Sequence, residues 1–328
     1  MSGFYDGRPV LVTGGCGFIG SHLVDTLLQR GARVRVLGSY SSSGRWGNLE
    51  HYRGGDADLD VRLGTVSDPG FVSGCVEGQD VVFHLAALIG IPYSYVAPEH
   101  YVQTNVVGTL NVLEAVRRHG TPRLVHTSTS ECFGSAQSVP MNELHPLSAQ
   151  SPYAATKVAA DQLAGSYWRS FGTPAVTIRP FNTFGPRQTL RAVVPTVIAQ
   201  ALAGSRIRLG SVTPLRDLNP VQNTVGAMML AGSVQGVEGE LFVVGSGVER
   251  TVGDVVEAVG EVLGRSLEIE LDEQRVRPEA SEVDRLLCDF SKARVRLGYE
   301  PTVLFIEALQ ETVAWMRELR VDSVGYAV

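Results

Sequence analysis

The chain of 328 residues is long enough for one large core or two unequal domains, and 44% hydrophobic with 19% charged residues excludes a disordered or fibrous protein. A net charge of −6 argues against a nucleic-acid reader, so an anionic ligand has to be gripped by local arginines and not by a global field. Cys16, Cys75, Cys132 and Cys288 show no C-x-x-C spacing, which argues against a disulfide framework and a zinc site, so no metal is expected and a reducing compartment is. The N-terminus has no basic leader with an apolar run behind it, and the longest near-apolar stretch, 81–91, is too short for a bilayer. The expected setting is the cytoplasm, away from membranes.

Residues 9–20, Pro-Val-Leu-Val-Thr-Gly-Gly-Cys-Gly-Phe-Ile-Gly, predict a buried strand that runs into glycines at 14, 17 and 20 and then an amphipathic helix stopped at Gly31. Strand, glycine turn and helix N-terminus make a phosphate cradle, a G-x-x-G-x-x-G variant of the dinucleotide fingerprint. A second strand is expected over 33–37. Where an acidic residue would grip the adenosine ribose of NAD, the chain has Gly38-Ser-Tyr-Ser-Ser-Ser-Gly-Arg45. Hydroxyls and Arg45 without a carboxylate suit NADP; a Ser/Gly loop with no cofactor role is the plain alternative, and NAD or NADP stays open.

Short strands follow over 60–63 and 80–85, the latter leading into the small pair Ala86 and Ala87. An amphipathic helix over 101–119 precedes a fifth strand from Leu124, a helix from about 153 to 171, and a sixth strand over 175–179. Alternation at this rhythm implies right-handed βαβ units, hence an α/β fold with a Rossmann-type doubly wound parallel sheet. Residues 1–180, with about 218–245 returning, form this domain. A smaller C-terminal α/β substrate lobe takes 181–217 and 246–328, with a helix near 194–203, a polar turn at 214–217, a helix at 252–263 and a short strand at 268–271.

The stretch 124–157 carries the chemistry. Tyr153 and Lys157 lie four apart on one helix face, and a lysine cation there would bring a phenol of ordinary pKa ~10 toward use as a base. Thr129 can hydrogen-bond an alkoxide, and Glu131 offers a second base. Two bases imply two proton abstractions. Arg187, Arg216 and Arg277, from three separate segments, would clamp a diphosphate if one cleft gathered them.

These residues resemble the extended short-chain dehydrogenase/reductase family over about 9–300. The resemblance rests on the 13–20 glycine turn, His84-Leu-Ala-Ala87, Thr104-Asn-Val-Val-Gly-Thr-Leu-Asn111, Tyr153-x-x-x-Lys157 and Arg179-Pro-Phe-Asn182. Ser128-Thr129-Ser130-Glu131 is similar to the Thr-x-Glu element of nucleotide-sugar 4,6-dehydratases, with Ser130 of the GDP-mannose type. The runs from Leu88 to Tyr95, at 151–153 and from Arg277 to Leu286 look like dehydratases acting on nucleotide-linked N-acetylglucosamine. Three positions depart from the pattern: Thr65 for the aspartate that touches adenine, Phe133 for a tyrosine, and Pro220 with Asn223 for an aromatic and an acid.

The resemblance implies a tightly bound NAD or NADP on Gly14, Gly17, Phe18, Ile19, Gly20, Ser39, Arg45, Val66, Ala86, Ala87, Thr127, Tyr153 and Lys157. A nucleoside-diphosphate sugar is implied on Tyr93, Asn182, Arg187, Arg216 and Arg277. Tyr153 would take the 4-OH proton as hydride leaves C4, Thr129 would support the oxyanion, and Glu131 would remove H5. Water would leave C6 with help from Glu131 or Ser130, and hydride return to C6 would give a 4-keto-6-deoxy sugar. A 5,6-dehydratase, a 4-epimerase and, less fittingly, a non-catalytic cofactor sensor are the rivals. A homodimer is implied through the helices at 101–119 and 152–171, whose apolar faces would otherwise be core.

Overall fold

The computed structural model describes residues 3–272 and 283–319. Its strands are β1 (Pro9–Thr13), β2 (Arg33–Ser39), β3 (Leu59–Gly64), β4 (Val81–His84), β5 (Arg123–Thr127), β6 (Ala175–Pro180), β7 (Asn182–Phe184), β8 (Arg206–Leu209), β9 (Leu215–Pro220), β10 (Leu241–Val244), β11 (Glu249–Thr251), β12 (Glu268–Leu271) and β13 (Arg285–Leu286). The helices are α1 (Phe18–Gln29), α2 (Pro69–Val76), α3 (Ile91–Val96), α4 (Pro98–Tyr101), α5 (Gly108–His119), α6 (Pro152–Phe171), α7 (Val193–Ala203), α8 (Val221–Ser233), α9 (Val252–Leu263), α10 (Ser291–Leu297) and α11 (Phe305–Glu318).

Seven parallel strands form the main sheet in the order β10-β6-β5-β4-β1-β2-β3. β1 shows why it is covered on both faces. Val10 and Val12 enter a core shared with α1 and α8, while Leu11 enters the opposite core with α2, α5 and α6. All three are fully buried, each contributing roughly 1.5–3 kcal/mol of hydrophobic stabilisation. From β1 the chain winds one way to β2 and β3, and from β4 the other way to β5, β6 and β10. The crevice therefore opens above the carboxyl ends of β1 and β4.

The segment expected as one helix over 101–119 is helical throughout but carries a π-helical stretch, Val102–Val107, between α4 and α5. Leu113, expected on a dimer face, is buried against the sheet, whereas Val102 remains 45% exposed.

The expected polar turn at 214–217 is instead the start of β9, the strand on which β7, β11 and β13 all pair. Its polar residues hide it. Asp217 and Asn219 are fully buried, and the Asp217 carboxylate accepts from the backbone N–H groups of Ser246, Gly247 and Cys288. A strand whose buried side chains are paired polar groups shows no hydrophobic alternation. Around this sheet, α7, α9 and α11 pack a separate core of Val197, Ile198, Val255 and Leu309. Helix α8, apolar nearly all round, lies against α1 and the main sheet, and α10 packs beside it on β10.

Candidate active site

The cradle at the end of β1 is shaped by close approach. Gly14 adopts φ +73°, and a Cβ there would sit 2.8 Å from the Ala86 backbone nitrogen; one on Gly20 would collide with the Gly14 carbonyl. Gly17 caps α1 without a side chain, so the first N–H groups of the helix receive no side-chain partner, and Phe18 and Ile19 are half-buried in its first turn. Thr13 ties the two switch-point strands together. Its Oγ1 lies 2.8 Å from His84 Nδ1 and accepts from the Ala86 N–H at 3.2 Å. Backbone donors, bare glycine and a helix N-terminus form a cradle that fits a dinucleotide pyrophosphate.

Helix α6 brings the phenol and ammonium to the crevice. Ser151 caps it by accepting from Ala154 N–H at 3.1 Å, Pro152 opens it, and Gly172 closes it in the left-handed region. Opposite, β5 ends at Thr127. Thr129 caps a short 3₁₀ turn, Ser130–Phe133, and accepts from the Glu131 N–H at 3.3 Å. That turn aims Thr129 at α6, where its side chain shares a hydrogen bond with Tyr153. Lys157 Nζ donates to the Thr127 carbonyl at 2.6 Å.

Burial pushes the Tyr153 phenol well above its ordinary range; the Thr129 hydrogen bond opposes this, and the charges of Glu131 and Asp161 add to it. The depression expected from Lys157 does not set the direction: burial dominates at the phenol, while Lys157 is itself pushed down by burial and donates to a backbone carbonyl. Glu131 lies in the 3₁₀ turn capped by Thr129, and its charge adds to the rise of the phenol. Ser130 is buried beside them. Cys132 is buried too, its thiol pushed up to about 12 by desolvation, as a structural thiol would be.

Two further groups support this corner. Asp161, one turn past Lys157, accepts from Ser128 Oγ at 2.5 Å and Arg179 Nη2 at 2.7 Å, with His126 Nε2 at 3.0 Å. Burial alone would push its carboxyl up; the His126 hydrogen bond and the charges of Arg179 and Lys157 outweigh that and hold it well below the usual range. His126 is itself driven toward its neutral form by burial, so the direction for Asp161 rests on the two cations. The i, i+4 spacing from Lys157 was the available signal. Asn105, within the π-helical stretch, accepts from Leu88 N–H at 2.8 Å and donates to the Leu88 carbonyl at 3.0 Å and to Thr156 Oγ1 at 3.0 Å. It pins the β4–α3 loop to α6, one residue from Lys157.

The remaining expected residues are spread more widely. Ala86 and Ala87 line the switch point, half-buried, and Thr127 follows on β5. Ser39 ends β2, with Arg45 exposed on the loop beyond. Val66 turns into the core against Gly108, and its carbonyl accepts from Asn111. Tyr93 connects to Tyr153 through Tyr101, with ring centroids 6.0 and 6.3 Å apart. Asn182 holds a buried Oδ1 that no group among the described residues satisfies. Arg187, at φ +69°, pairs with Asp25 on α1 at 2.7 Å; Arg216 sits in β9 and donates to the Leu215 carbonyl; Arg277 lies outside the described residues. Among the described residues no cluster of His, Cys, Asp or Glu could hold a metal ion, and no helix is long and apolar enough to cross a membrane.

The family model described as GDP-mannose 4,6 dehydratase matches residues 11–312. A dTDP-glucose 4,6-dehydratase of Actinoplanes sp. is 34% identical over 95% of this chain and 98% of its own length. A UDP-glucose 4-epimerase of Mycolicibacterium smegmatis is also 34% identical, over 94% of this chain and 98% of its own. Among solved structures, DesIV from Streptomyces venezuelae, a dTDP-glucose 4,6-dehydratase with NAD bound, superposes with a TM-score of 0.85 at 31% identity, covering 95% of this chain and 98% of that one. The match across nearly the whole length, on the parallel sheet and cradle described above, places the chain in the GDP-mannose 4,6-dehydratase family, as an NAD(P)-dependent nucleotide-sugar dehydratase of the extended short-chain dehydrogenase/reductase type.

Proposed function

We propose that the chain converts a nucleoside-diphosphate hexose, with N-acetylglucosamine as the sugar, to its 4-keto-6-deoxy product. The observation that supports the reading is the 3₁₀ turn after β5, on which Glu131 follows Thr129, the residue that faces Tyr153. The bound nicotinamide would supply the acceptor for the C4 hydride and its return to C6. Tyr153 takes the proton from the 4-OH, and Thr129, already hydrogen-bonded to it, supports the oxyanion. Lys157 fixes the strand end through Thr127 and lies one turn behind the phenol. Glu131 removes H5, made acidic by the neighbouring ketone, and Ser130 or Glu131 itself protonates the departing C6 oxygen. The N-acetyl substituent is supported by the residue runs at 88–95 and 151–153, and a homodimer through the helical segment 101–119 and α6 by the exposed Val102.

A 4-epimerase is the competing reading, since such an enzyme stands among the similar proteins. It needs Tyr153 but has no work for Glu131. Incubation with UDP- or GDP-N-acetylglucosamine and dTDP-glucose in deuterated water, without added reductant, separates the two. A 4-keto product carrying deuterium at C5 is expected; a C4 epimer without solvent deuterium overturns the proposal. Glu131→Gln is expected to stop elimination while partial reduction of the bound cofactor stays visible in the ultraviolet. A sedimentation measurement giving monomer alone removes the dimer.

A further inference from the structure

Beneath the crevice, at the carboxyl ends of β1 and β4, a chain of buried hydroxyl, imidazole and amide groups runs from the dinucleotide cradle to α6. His84, the last residue of β4, stands at its centre. Its Nδ1 lies 2.8 Å from Thr13 Oγ1 and its Nε2 lies 3.0 Å from Thr109 Oγ1 on α5. The hydroxyls settle its tautomer. Thr109 donates its one proton to the Asn105 carbonyl at 2.6 Å, so it accepts from His84 Nε2–H. Nδ1 is then the acceptor, Thr13 donates to it, and the same Thr13 oxygen accepts from the Ala86 N–H. Burial, reinforced by His126 and Lys157, holds the ring well below its ordinary range and hence neutral, as these partners require.

Each end of the chain reaches a working part of the site. Ala86 lies at the cradle, where a Cβ on Gly14 would sit 2.8 Å from its backbone nitrogen. At the other end, Thr109 bonds back by one turn onto the carbonyl of Asn105, within the π-helical stretch Val102–Val107. A π turn breaks the α-helical ladder, and a threonine hydroxyl bonded to the carbonyl four residues before it helps to hold such a break. The turn presents the Asn105 amide to Leu88 and to Thr156 Oγ1, and Thr156 donates in turn to the Tyr153 carbonyl at 2.7 Å. Thr13, His84, Asn105 and Thr109 are each no more than 2% exposed, so solvent does not compete for these bonds.

We propose that His84, held as its Nε2–H tautomer between Thr13 and Thr109, is a positioning residue that fixes the π turn and, through Asn105, the loop from Leu88 to Tyr93, and so sets the affinity for the sugar nucleotide. It acts through the loop and not by proton transfer. That the affected ligand is a sugar nucleotide rests on the reaction proposed above; the linkage through His84 does not.

Thr109→Val removes the hydroxyl with little change of shape, and Thr109→Ser keeps it. In Thr109→Val, amide hydrogen exchange of the peptide spanning 85–93 is expected to be at least about fivefold faster, with the 9–20 cradle peptide unchanged. Calorimetric titration with dTDP-glucose and UDP-N-acetylglucosamine should give a Kd raised about three- to tenfold for whichever binds wild type, with ADP-ribose affinity within about twofold. Thr109→Ser should restore both. His84→Leu should match Thr109→Val, while His84→Gln, with one acceptor and one donor, should stay near wild type; this pair carries the test if Thr109→Val does not fold. Adding Thr109→Val to Asn105→Ala should weaken sugar-nucleotide binding by less than about twofold beyond Asn105→Ala alone, because the two act in series. Unchanged exchange at 85–93, equal weakening of ADP-ribose and sugar nucleotide, or additive effects in the double variant overturns the inference. Wild-type protein that binds ADP-ribose but neither sugar nucleotide overturns the proposed function, and the exchange measurement alone then decides whether His84 holds the loop.

Discussion

At the junction of β5 and α6, the polar side chains sit below the surface and hold one another. Asp161 gathers Ser128, Arg179 and His126, and Thr129 holds Tyr153. The arginines expected to hold a diphosphate behave otherwise. Arg187 pairs with Asp25 on α1, and Arg216 donates to the Leu215 carbonyl. The difference follows from how each part is assembled. The β5–α6 corner comes from a strand and a helix adjacent in sequence, with every donor and acceptor within about 55 residues. Arg187 and Arg216 come from other segments, and their partners are Asp25 on α1 and the Leu215 carbonyl.

The largest effect expected is at the phenol. Tyr153→Phe should lower kcat by about 10³-fold with the fold intact, read as loss of 4-keto product against an unchanged circular-dichroism spectrum. An active variant would remove the corner from the chemistry.

Asp161→Asn tests whether the network beneath is structural. It leaves Arg179 and Lys157 buried without their anion, and should cost about 3 kcal/mol in urea unfolding at neutral pH. The folded carboxyl lies below its unfolded value, so its contribution is fully present above about pH 4 and lost as the pH falls through the depressed value. The gap between wild type and variant should therefore narrow below about pH 4. A gap that widens there would show the sign to be wrong.

Asn105→Ala frees the β4–α3 loop from α6. A loss of roughly 1–3 kcal/mol is expected, with KM for the sugar nucleotide raised more than kcat is lowered, since Leu88 and not Tyr153 loses its tether. The smallest effect is expected at Arg187. Arg187→Ala should change KM less than about threefold and stability by about 1 kcal/mol, the scale of a partly exposed ion pair. A tenfold rise in KM would return Arg187 to the diphosphate and erase the contrast.

Much of the fold was readable because it depends on short-range pattern. The unbroken apolar run of β1, the glycines at 14, 17 and 20, and the Ser151-Pro152 opening of α6 each specify local geometry without reference to distant residues. β9 was not readable: its buried Asp217 and Asn219 look like a turn until their partners arrive from Ser246 and Cys288. Nor was the role of Asp161, visible only as a helix position until Arg179, eighteen residues on, closed against it.

The sequence by itself determined the parallel sheet, the phosphate cradle and the pairing of Tyr153 with Lys157 on one helical face, because backbone propensity and helical repeat act over a few residues. Tertiary structure alone decided which charges are available. Asp25 takes Arg187, the Thr127 carbonyl takes Lys157, and Cys16 takes the space at Gly38, because electrostatic and steric partners are settled by distance in space, which residue order does not record.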